Sequence, residues 1–554
     1  MDWQKTLNLV AIGLVAWLLL IEWEQYDSEK KQEIASVESY LPAPEAGDLP
    51  VPQADDLGSE LPMVMQEPMV ELSPQGGDRL VVVNTDVLQV TIDTLGGDIV
   101  EVQLLQHFTA MPDDNGAPFT LLNRSADSLY VAQSGLIGEN GTDTAEGRPE
   151  FATSSSSYNI GMSDSINVDL TLNQNGVKIV KRFEFSAGDY SIGVKYIINN
   201  LTAEPWQANF YGQIRRDSKP QLVTSSGGVM PFLGAAIREE DKNYAKYDFG
   251  DMEDESVRAT IQGGWVAMVQ HYFVSAWVPP TEDKNVFSLR KRSGKDLYLM
   301  DYTGQRISVA PGGSGEYRAQ FYVGPKDQER LARLADYLDL TIDYGFLWMV
   351  AKPLFAGLKM IQSYVGNWGW SIILLTLVIK IALYPLSAAS LKSMAKMRNL
   401  QPEMARLKEL YGDDRQKMSQ ELMGLYKKEK VNPAGGCFPM LLQMPVFLAL
   451  YWVLLESVEI RHSPWIFWIQ DLSAKDPLFV LPILMGASMM LMQKLQPMPT
   501  DPMQAKVMQF LPIVFTFFFM IFPAGLVLYW TVNNLLSMAQ QWFVNRQLQT
   551  VKKN

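Results

Sequence analysis

The sequence contains little of what builds disulfides or metal centres. Cys437 is its one cysteine in 554 residues, which excludes an intramolecular disulfide and any multi-cysteine metal site. Its three histidines, His107, His271 and His462, lie far apart and share no ligand spacing. A zinc hydrolase needs such a cluster. We therefore expect no metal site and set this class of enzyme aside, and we expect no cofactor.

Positive charge is also scarce. The chain carries 47 Lys and Arg against 61 Asp and Glu, a formal net charge of −14, which argues against DNA as a partner. The charge is unevenly placed, because residues 25–345 have a net charge of −21 and the rest of the chain has +7. Length and charge together indicate several domains in different surroundings.

An apolar run occupies the N-terminal region. The run 7–21 is predominantly apolar and fits either a signal peptide or a membrane span, which we place at residues 7–23. No small-residue cleavage site follows, because the next residues are Glu22, Trp23 and Glu24, and this favours an uncleaved signal anchor. Lys5 places residues 1–6 in the cytoplasm. Residues 25–79 hold seven prolines and 12 acids against three bases, which predicts an extended acidic linker outside.

Residues 80–326 alternate apolar and polar side chains as β-strands do. Clear examples are 177–185, 190–198 and 317–323, and Gly96-Gly97 and Asn175-Gly176 mark turns between such runs. Many short alternating strands predict an all-β antiparallel sandwich. This domain is acidic and is expected outside the cytoplasm.

Residues 327–364 change to helical periodicity. Leu331, Leu334 and Leu338 lie near one face of a first helix. The following segment contains Lys352 and Lys359 and has tryptophans at both ends, which favours an amphipathic helix in the membrane interface. The alternative is a helix packed in the cleft of a soluble domain.

Five further apolar stretches are predicted to span the membrane, and with the anchor they give six spans: 367–387, 436–457, 477–493, 507–522 and 524–544. The third and fourth of these are short for a ~30 Å hydrocarbon core and require a thinned bilayer or shelter by neighbouring helices.

Charges in the connecting segments predict the orientation. Lys and Arg predominate in 388–434, 494–506 and the tail 545–554, whereas 458–476 has more acids than bases. Positive segments stay inside. Both termini are therefore predicted in the cytoplasm, with 458–476 outside.

Lys380 lies within the first of these five stretches. A charge there costs at least ~2.5–3.5 kcal/mol on insertion scales. The side chain can snorkel to the cytoplasmic surface, or it can face a hydrated cavity. Thr376 lies four residues earlier on the same helix face, and this favours the cavity.

Other polar residues lie in the apolar stretches: Gln443, Ser488, Thr531, Asn533 and Asn534. Each can be interhelical glue, but together with a lysine they indicate a polar interior. No acid in the apolar stretches pairs with Lys380, which leaves its charge for an acidic residue of a passing polypeptide. A proton relay usually has carboxylates in its spans.

Residues 388–434 predict an antiparallel helical hairpin in the cytoplasm. Apolar residues recur mostly at spacings of three, Gly412-Asp413-Asp414 breaks the pattern, and Pro402 predicts a kink in the first arm. A plain structural linker is the alternative. Its basic residues are candidates for contacting ribosomal RNA or anionic lipid: Lys392, Lys396, Arg398, Arg406 and Lys408.

Long motifs in both halves resemble the YidC membrane protein insertases. The C-terminal ones are Ser393-Met-Ala-Lys-Met-Arg398, Glu429-Lys-Val-Asn-Pro433, Gly435-Gly-Cys-Phe-Pro439, Gln443-Met-Pro-Val-Phe-Leu-Ala-Leu-Tyr451, Asp471-Leu-Ser-Ala-Lys-Asp-Pro477, Leu481-Pro-Ile-Leu-Met-Gly486 and Gly525-Leu-Val-Leu-Tyr529. The acidic domain adds Gly263-Gly-Trp-Val-Ala-Met268 and Gln270-His-Tyr-Phe273. The resemblance covers essentially the whole chain.

The resemblance implies a multi-pass protein of the Gram-negative inner membrane. Five of its six spans would form the insertase core, and the large periplasmic domain would be a β-supersandwich. The core would enclose a hydrophilic groove that is open to cytoplasm and lipid and closed outside. Implied partners are nascent membrane proteins, the Sec translocon with its accessory subunits, the translating ribosome and the phospholipid bilayer.

The resemblance also assigns groove residues. The family's positive residue in the second span is usually arginine, and Lys380 stands there, so charge is kept while the bidentate fork is lost. Thr376 and Trp530 fall where family members contact substrate. The implied activity is insertion and chaperoning of membrane proteins, without bond-making chemistry.

Two other classes compete with this interpretation. A transporter or channel would need a path through to the periplasm and usually has interrupted helices in inverted repeats. A sugar-active enzyme is conceivable because mutarotase-like domains share this kind of sandwich, but analogy of fold is weak support.

Overall fold

The computed structural model describes residues 79–111, 116–145, 147–221, 231–411, 414–429, 438–495 and 502–553. The predicted cytoplasmic N-terminus, signal anchor and nearly all of the linker lie outside the described residues. The described chain separates after Ile342 into two compact units.

The first unit is built from strands. Those described are β1 (Leu80–Asn84), β2 (Leu88–Asp93), β3 (Asp98–Phe108), β4 (Pro118–Arg124), β5 (Leu129–Ile137), β6 (Ala152–Thr153), β7 (Ser157–Asn159), β8 (Ser165–Gln174), β9 (Val177–Ser186), β10 (Ser191–Asn200), β11 (Trp206–Arg216), β12 (Gly234–Ile237), β13 (Ala245–Tyr247), β14 (Val257–Gln262), β15 (Val266–Val269), β16 (Phe273–Val278), β17 (Lys284–Lys291), β18 (Tyr298–Val309) and β19 (Ser314–Pro325).

These strands form two sheets. One has the order β14-β17-β18-β11-β5-β4-β3-β2-β1-β7, and the other has the order β13-β12-β15-β16-β19-β10-β9-β8-β6. Among the described strands the pairings are antiparallel except for β1 with β7. The predicted all-β domain is therefore confirmed.

Alternation explains why these residues form strands. In β9, Val177, Ile179, Phe183 and Phe185 are buried and the residues between them are more exposed, because successive side chains point to opposite faces of a sheet. Lys181 lies two residues from both Ile179 and Phe183, so its side chain points to the same buried face, and it is 0% exposed.

Hydrogen bonds join the two sheets face to face. The hydroxyls of Tyr130 and Ser275 lie 2.6 Å apart, and Trp277 Nε1 donates to the Gln213 carbonyl at 3.2 Å. Each pair links a strand of one sheet to a strand of the other. The core of this unit therefore lies between the sheets, as in a sandwich.

Two short helices complete the first unit: α1 (Phe249–Asp254) and α2 (Gln328–Leu334), with a 3₁₀ turn at Leu338–Thr341. Asp327 caps α2 by accepting from the Arg330 amide at 2.9 Å. Leu331 and Leu338 are fully buried. A helix thus follows the last strand, where the sequence predicts a change from strands to helical periodicity after residue 326.

The second unit is helical. Its described helices are α3 (Trp348–Val365), α4 (Trp368–Ala382), α5 (Tyr384–Asn399), α6 (Gln401–Tyr411), α7 (Arg415–Lys428), α8 (Phe438–Glu456), α9 (Val480–Leu495), α10 (Pro502–Phe519) and α11 (Ala524–Lys553), with 3₁₀ turns at Gly345–Leu347 and Val458–Ile460.

A sharp bend separates α4 from α5. Among the described residues, no single helix has both the length and the apolar composition to cross a membrane, whereas α4 and α5 qualify as a pair bent by 69°. The sequence predicts one continuous span over 367–387, but α4 ends at Ala382. Pro385 explains the difference, because its ring would clash with the Ile381 carbonyl and it has no N–H. The count of six spans stays a prediction.

Helices α5, α6 and α7 follow the predicted hairpin. The first arm breaks at Leu400, between α5 and α6, two residues before Pro402. The two arms meet where the Tyr426 hydroxyl donates to the Met404 sulfur at 3.8 Å. Asp414 caps α7 by accepting from the Lys417 amide at 3.0 Å.

The loop before α9 holds the start of α11. The Ala524 amide donates to the Ala474 carbonyl at 2.7 Å, and the Gly525 amide donates to the Leu472 carbonyl at 2.9 Å. The first amides of a helix have no partner within it. The loop thus supplies their acceptors and fixes where α11 begins.

Candidate functional site

One helix, α11, carries a series of polar side chains through an otherwise apolar bundle. They recur at spacings of three or four residues and therefore share neighbouring faces: Thr531, Asn533, Asn534, Ser537, Gln540 and Gln541. Hydrogen bonds from this series reach α4, α8 and α9. We call it the polar series of α11.

The ammonium group of Lys380, on α4, forms a hydrogen bond with this series. Its side chain is buried, with 4% of the residue exposed, and Nζ donates to Ser537 Oγ at 2.7 Å. Among the described residues, no carboxylate forms an ion pair with Lys380. A hydrogen bond to a charged group contributes ~1.5–3 kcal/mol. A neutral hydroxyl therefore holds this ammonium group.

Two more contacts tie α11 to other helices. Asn533 Nδ2 approaches Gln443 Oε1 of α8 at 3.5 Å, the long limit of a hydrogen bond. Asn534 Nδ2 donates to Ser488 Oγ of α9 at 3.0 Å. The structure thus joins three predicted groove residues, Lys380, Gln443 and Ser488, to α11, which carries a fourth, Asn534.

The two predicted threonines bond within their own helices. Thr376 Oγ1 donates to the Ile372 carbonyl at 2.6 Å, and Thr531 Oγ1 donates to the Val527 carbonyl at 2.7 Å. Both are buried. They add polarity to the interior, but no hydrogen bond connects either hydroxyl to Lys380 in the described structure.

Trp530 belongs to an aromatic cluster next to the polar series. Its ring packs edge-on against Phe447 of α8, with centroids 4.5 Å apart, and lies 5.3 Å from Phe519 of α10. Such pairs contribute ~0.5–1.5 kcal/mol beyond the buried area. Trp530 therefore belongs to an apolar cluster, although it is adjacent in sequence to the polar Thr531.

Ser537 and Gln540 are not among the groove residues predicted from the sequence. Ser537 accepts from Lys380, and Gln540 Nε2 donates to the Lys380 carbonyl at 3.4 Å. The sequence contains a pattern that could have identified both residues, because Ser537 and Gln540 continue the helical spacing that starts at Asn533. Which of these side chains meets α4 depends on the packing of two helices far apart in sequence.

The predicted hairpin residues lie on the surface. Lys392, Lys396, Arg398 and Arg406 are exposed, and Lys408 is half-buried. Lys392 and Lys396 are one turn apart on α5. Arg406 approaches Glu403 at 3.8 Å with both side chains exposed, a pair that contributes little to stability.

The described residues thus form a β-sandwich followed by an apolar helical unit that contains the buried Lys380, and the family models assign this combination to a class of inner-membrane proteins with a periplasmic domain. Residues 80–356 match the family model described as the YidC periplasmic domain, and residues 360–553 match the one described as 60Kd inner membrane protein. The chain belongs to the YidC membrane protein insertase family.

Full-length relatives agree. The chain is 52% identical to the membrane protein insertase YidC of Cellvibrio japonicus, over 99% of both chains. It is 47% identical to that of Stutzerimonas stutzeri, over 100% of both. The predicted family, the function as a membrane protein insertase and the absence of an enzyme class are confirmed. The inner-membrane location and the periplasmic domain are confirmed as well.

Solved structures give weaker likenesses. A crystal structure of an active YidC insertase with its first transmembrane domain resolved matches with a TM-score of 0.37 and 19% identity, over 83% of this chain and 92% of that one. A galactose mutarotase-like protein from Lactobacillus casei matches with a TM-score of 0.31 and 9% identity, over 44% and 99%. At these scores neither bears on function.

Proposed function

We propose that the space around the polar series of α11 is the groove in which this insertase receives its substrate. The supporting observation is that Lys380 is buried and that its side-chain partner among the described residues is a hydroxyl and not a carboxylate. A buried charge without a counter-ion is costly. A carboxylate on a translocating polypeptide would supply the missing counter-ion.

The proposed groove contains Lys380, Thr376, Gln443, Ser488, Trp530, Thr531 and Asn534. The neutral polar members hydrate the short polar flank of a nascent segment, and Lys380 attracts its acidic residues. The apolar part then leaves sideways into lipid, driven by burial of apolar surface at ~25 cal/mol per Å². No bond is made or broken in this cycle, and no ATP is needed.

Short helices reduce the distance that the flank must cross. Helix α9 has 16 residues, roughly 24 Å at the helical rise, against a hydrocarbon core of ~30 Å. A bilayer that thins to match it lowers the barrier for a polar flank.

The proposed topology has six spans with both termini in the cytoplasm, and the domain limits given from the sequence. Helix α3 would lie in the periplasmic membrane interface, where the exposed Trp348 and Tyr364 suit headgroup depth. The groove would open to the cytoplasm and to lipid. Nascent membrane proteins are the clients.

Two further partners are proposed. The exposed basic residues of the hairpin suit the phosphates of ribosomal RNA or anionic lipid, and the translating ribosome would deliver its chain there. The Sec translocon and its accessory subunits would share substrates too long for this groove. The resemblance of the chain to its family supports both proposals.

The test compares insertion of two substrates into proteoliposomes, one with an acidic translocated tail and one with a neutral tail. Lys380→Arg should retain the preference for the acidic tail, Lys380→Ala should lose it, and Lys380→Glu should reverse it. Lys494→Ala, an exposed lysine near the end of α9, is the matched control. Equal insertion of the acidic tail by all Lys380 variants would refute the role of the charge.

A further inference from the structure

Ser537 makes two hydrogen bonds that fix the direction of its hydroxyl. Its Oγ donates to the Asn533 carbonyl one turn earlier at 2.7 Å. A hydroxyl has one proton, so this bond uses it and turns the lone pairs away from the helix. Lys380 Nζ donates to those lone pairs at 2.7 Å.

Gln540 holds the same lysine at its backbone. It lies three residues after Ser537 on α11, and its Nε2 donates to the Lys380 carbonyl at 3.4 Å. Lys380 is two residues from the end of α4, where helix carbonyls lack partners within the helix. The α11 side chains therefore contact Lys380 at two points, the carbonyl and the ammonium.

The ammonium group of a lysine stays in one place only if another group binds it. Its four-carbon stem has many rotamers, and near the end of a membrane helix it can extend toward the surface. The Ser537 hydroxyl keeps the ammonium turned toward α11. A neutral acceptor does this without cancelling the positive charge, whereas a carboxylate would cancel it.

We propose that Ser537 is a positioning residue for the Lys380 ammonium and thereby sets the preference of the insertase for acidic over neutral polar flanks. This inference rests on the proposed function of Lys380. It predicts that loss of the Ser537 hydroxyl lowers the ratio of acidic-tail to neutral-tail insertion.

The first experiment uses the full-length protein in proteoliposomes and the ratio of acidic-tail to neutral-tail insertion. Ser537→Ala should lower this ratio several-fold, toward that of Lys380→Ala. Ser537→Thr keeps a hydroxyl that can bond the carbonyl one turn earlier and should preserve it. Ser363→Ala removes an exposed hydroxyl that donates to the carbonyl of Met360, three residues earlier in its own helix, and should leave the ratio unchanged.

A double variant separates positioning from general stability. If Ser537 acts through the lysine, Ser537→Ala should have no further effect on the ratio in a Lys380→Ala background, because coupled residues are not additive. An equal loss in both backgrounds would overturn the proposal, as would a wild-type ratio in Ser537→Ala.

A second readout does not depend on transport. The rate at which an amine-reactive reagent labels Lys380 in membranes, followed by mass spectrometry, should rise several-fold in Ser537→Ala and remain at the wild-type level in Ser537→Thr. An unchanged rate in Ser537→Ala refutes the positioning. A second outcome combines a raised labelling rate in Ser537→Ala with a wild-type insertion ratio in Lys380→Ala. It would support the positioning of Lys380 by Ser537 but refute the role of the lysine charge in insertion.

Discussion

Replacing Lys181 with methionine should remove a rise in the stability of the periplasmic sandwich between neutral and alkaline pH. Lys181 lies on β9 with its side chain wholly buried. Its Nζ donates to the carbonyls of Gly96 at 2.9 Å and Ser134 at 2.8 Å. Burial is the main influence on this ammonium group, and it lowers the pKa of Lys181 to about 7, against the opposing effect of the Asp98 carboxylate.

The size of the effect follows from proton linkage. In the unfolded chain the lysine keeps its proton up to its ordinary pKa of 10.5, whereas in the folded chain it loses the proton near pH 7. Between these values the unfolded state binds more protons, so the free energy of unfolding rises with pH by up to about 1.4 kcal/mol per pH unit. From pH 7.5 to pH 9 the gain from Lys181 is roughly 1–2 kcal/mol.

Tyrosines limit the useful pH range. Burial raises the pKa of Tyr196 and Tyr211 well above 10, so the unfolded chain ionises at these residues first. The free energy of unfolding then falls with pH, because the folded state holds more protons. This opposite trend begins near the ordinary tyrosine pKa of ~10, and measurements below pH 9 avoid it.

The assay is urea unfolding of a soluble fragment of residues 79–342, followed by the fluorescence of the buried Trp265 and Trp277. Wild type should gain stability from pH 7.5 to pH 9, and Lys181→Met should lack that gain. Lys178→Met, an exposed lysine on the same strand, should behave like wild type. Equal slopes in wild type and Lys181→Met would refute the reasoning.

Two predictions concern packing in the helical unit. Asp476 is 1% exposed and accepts from Trp468 Nε1 at 3.0 Å. Asp476→Ala leaves buried donors unpaired and should cost about 1–3 kcal/mol, seen as a lower melting temperature in detergent, with a smaller loss in Asp476→Asn. A Cβ on Gly486 would collide with the Thr516 hydroxyl, so Gly486→Ala should force α9 from α10 and reduce both insertion and melting temperature. Gly424→Ala meets no atom within 4 Å and should leave both unchanged.

The sandwich was predictable because its signal is local. Alternation marks β9 and β10 in the sequence, since each strand buries one face. The environment of Lys181 was not predictable in this way. Its acceptors at Gly96 and Ser134 lie on other parts of the chain, and the order of the strands decides that they meet.

In the helical unit, too, local patterns in the sequence predict some features, whereas others depend on tertiary packing. The apolar stretches and the two-armed hairpin follow from composition and periodicity, and the break at Leu400 follows from Pro402. The predicted span 367–387 does not include the interruption after Ala382, because the apolar composition continues through it and Pro385 is its local signal. The role of Ser537 depends on which face of α11 meets α4, and no local pattern specifies that.

Two of the buried lysines in the described residues, Lys181 and Lys380, have different surroundings. Lys181 lies beside the ion pairs of Arg148 with Asp98 and Asp143. These carboxylates favour the charged form of Lys181, although burial outweighs them and lowers its pKa. Lys380 has a hydroxyl and, within the described residues, no ion pair with an acid. A lysine that only supports a fold gains from nearby acids. A lysine that must attract an acid from outside would lose that ability beside one. The difference in partners therefore separates the structural lysine from the one proposed to meet substrate.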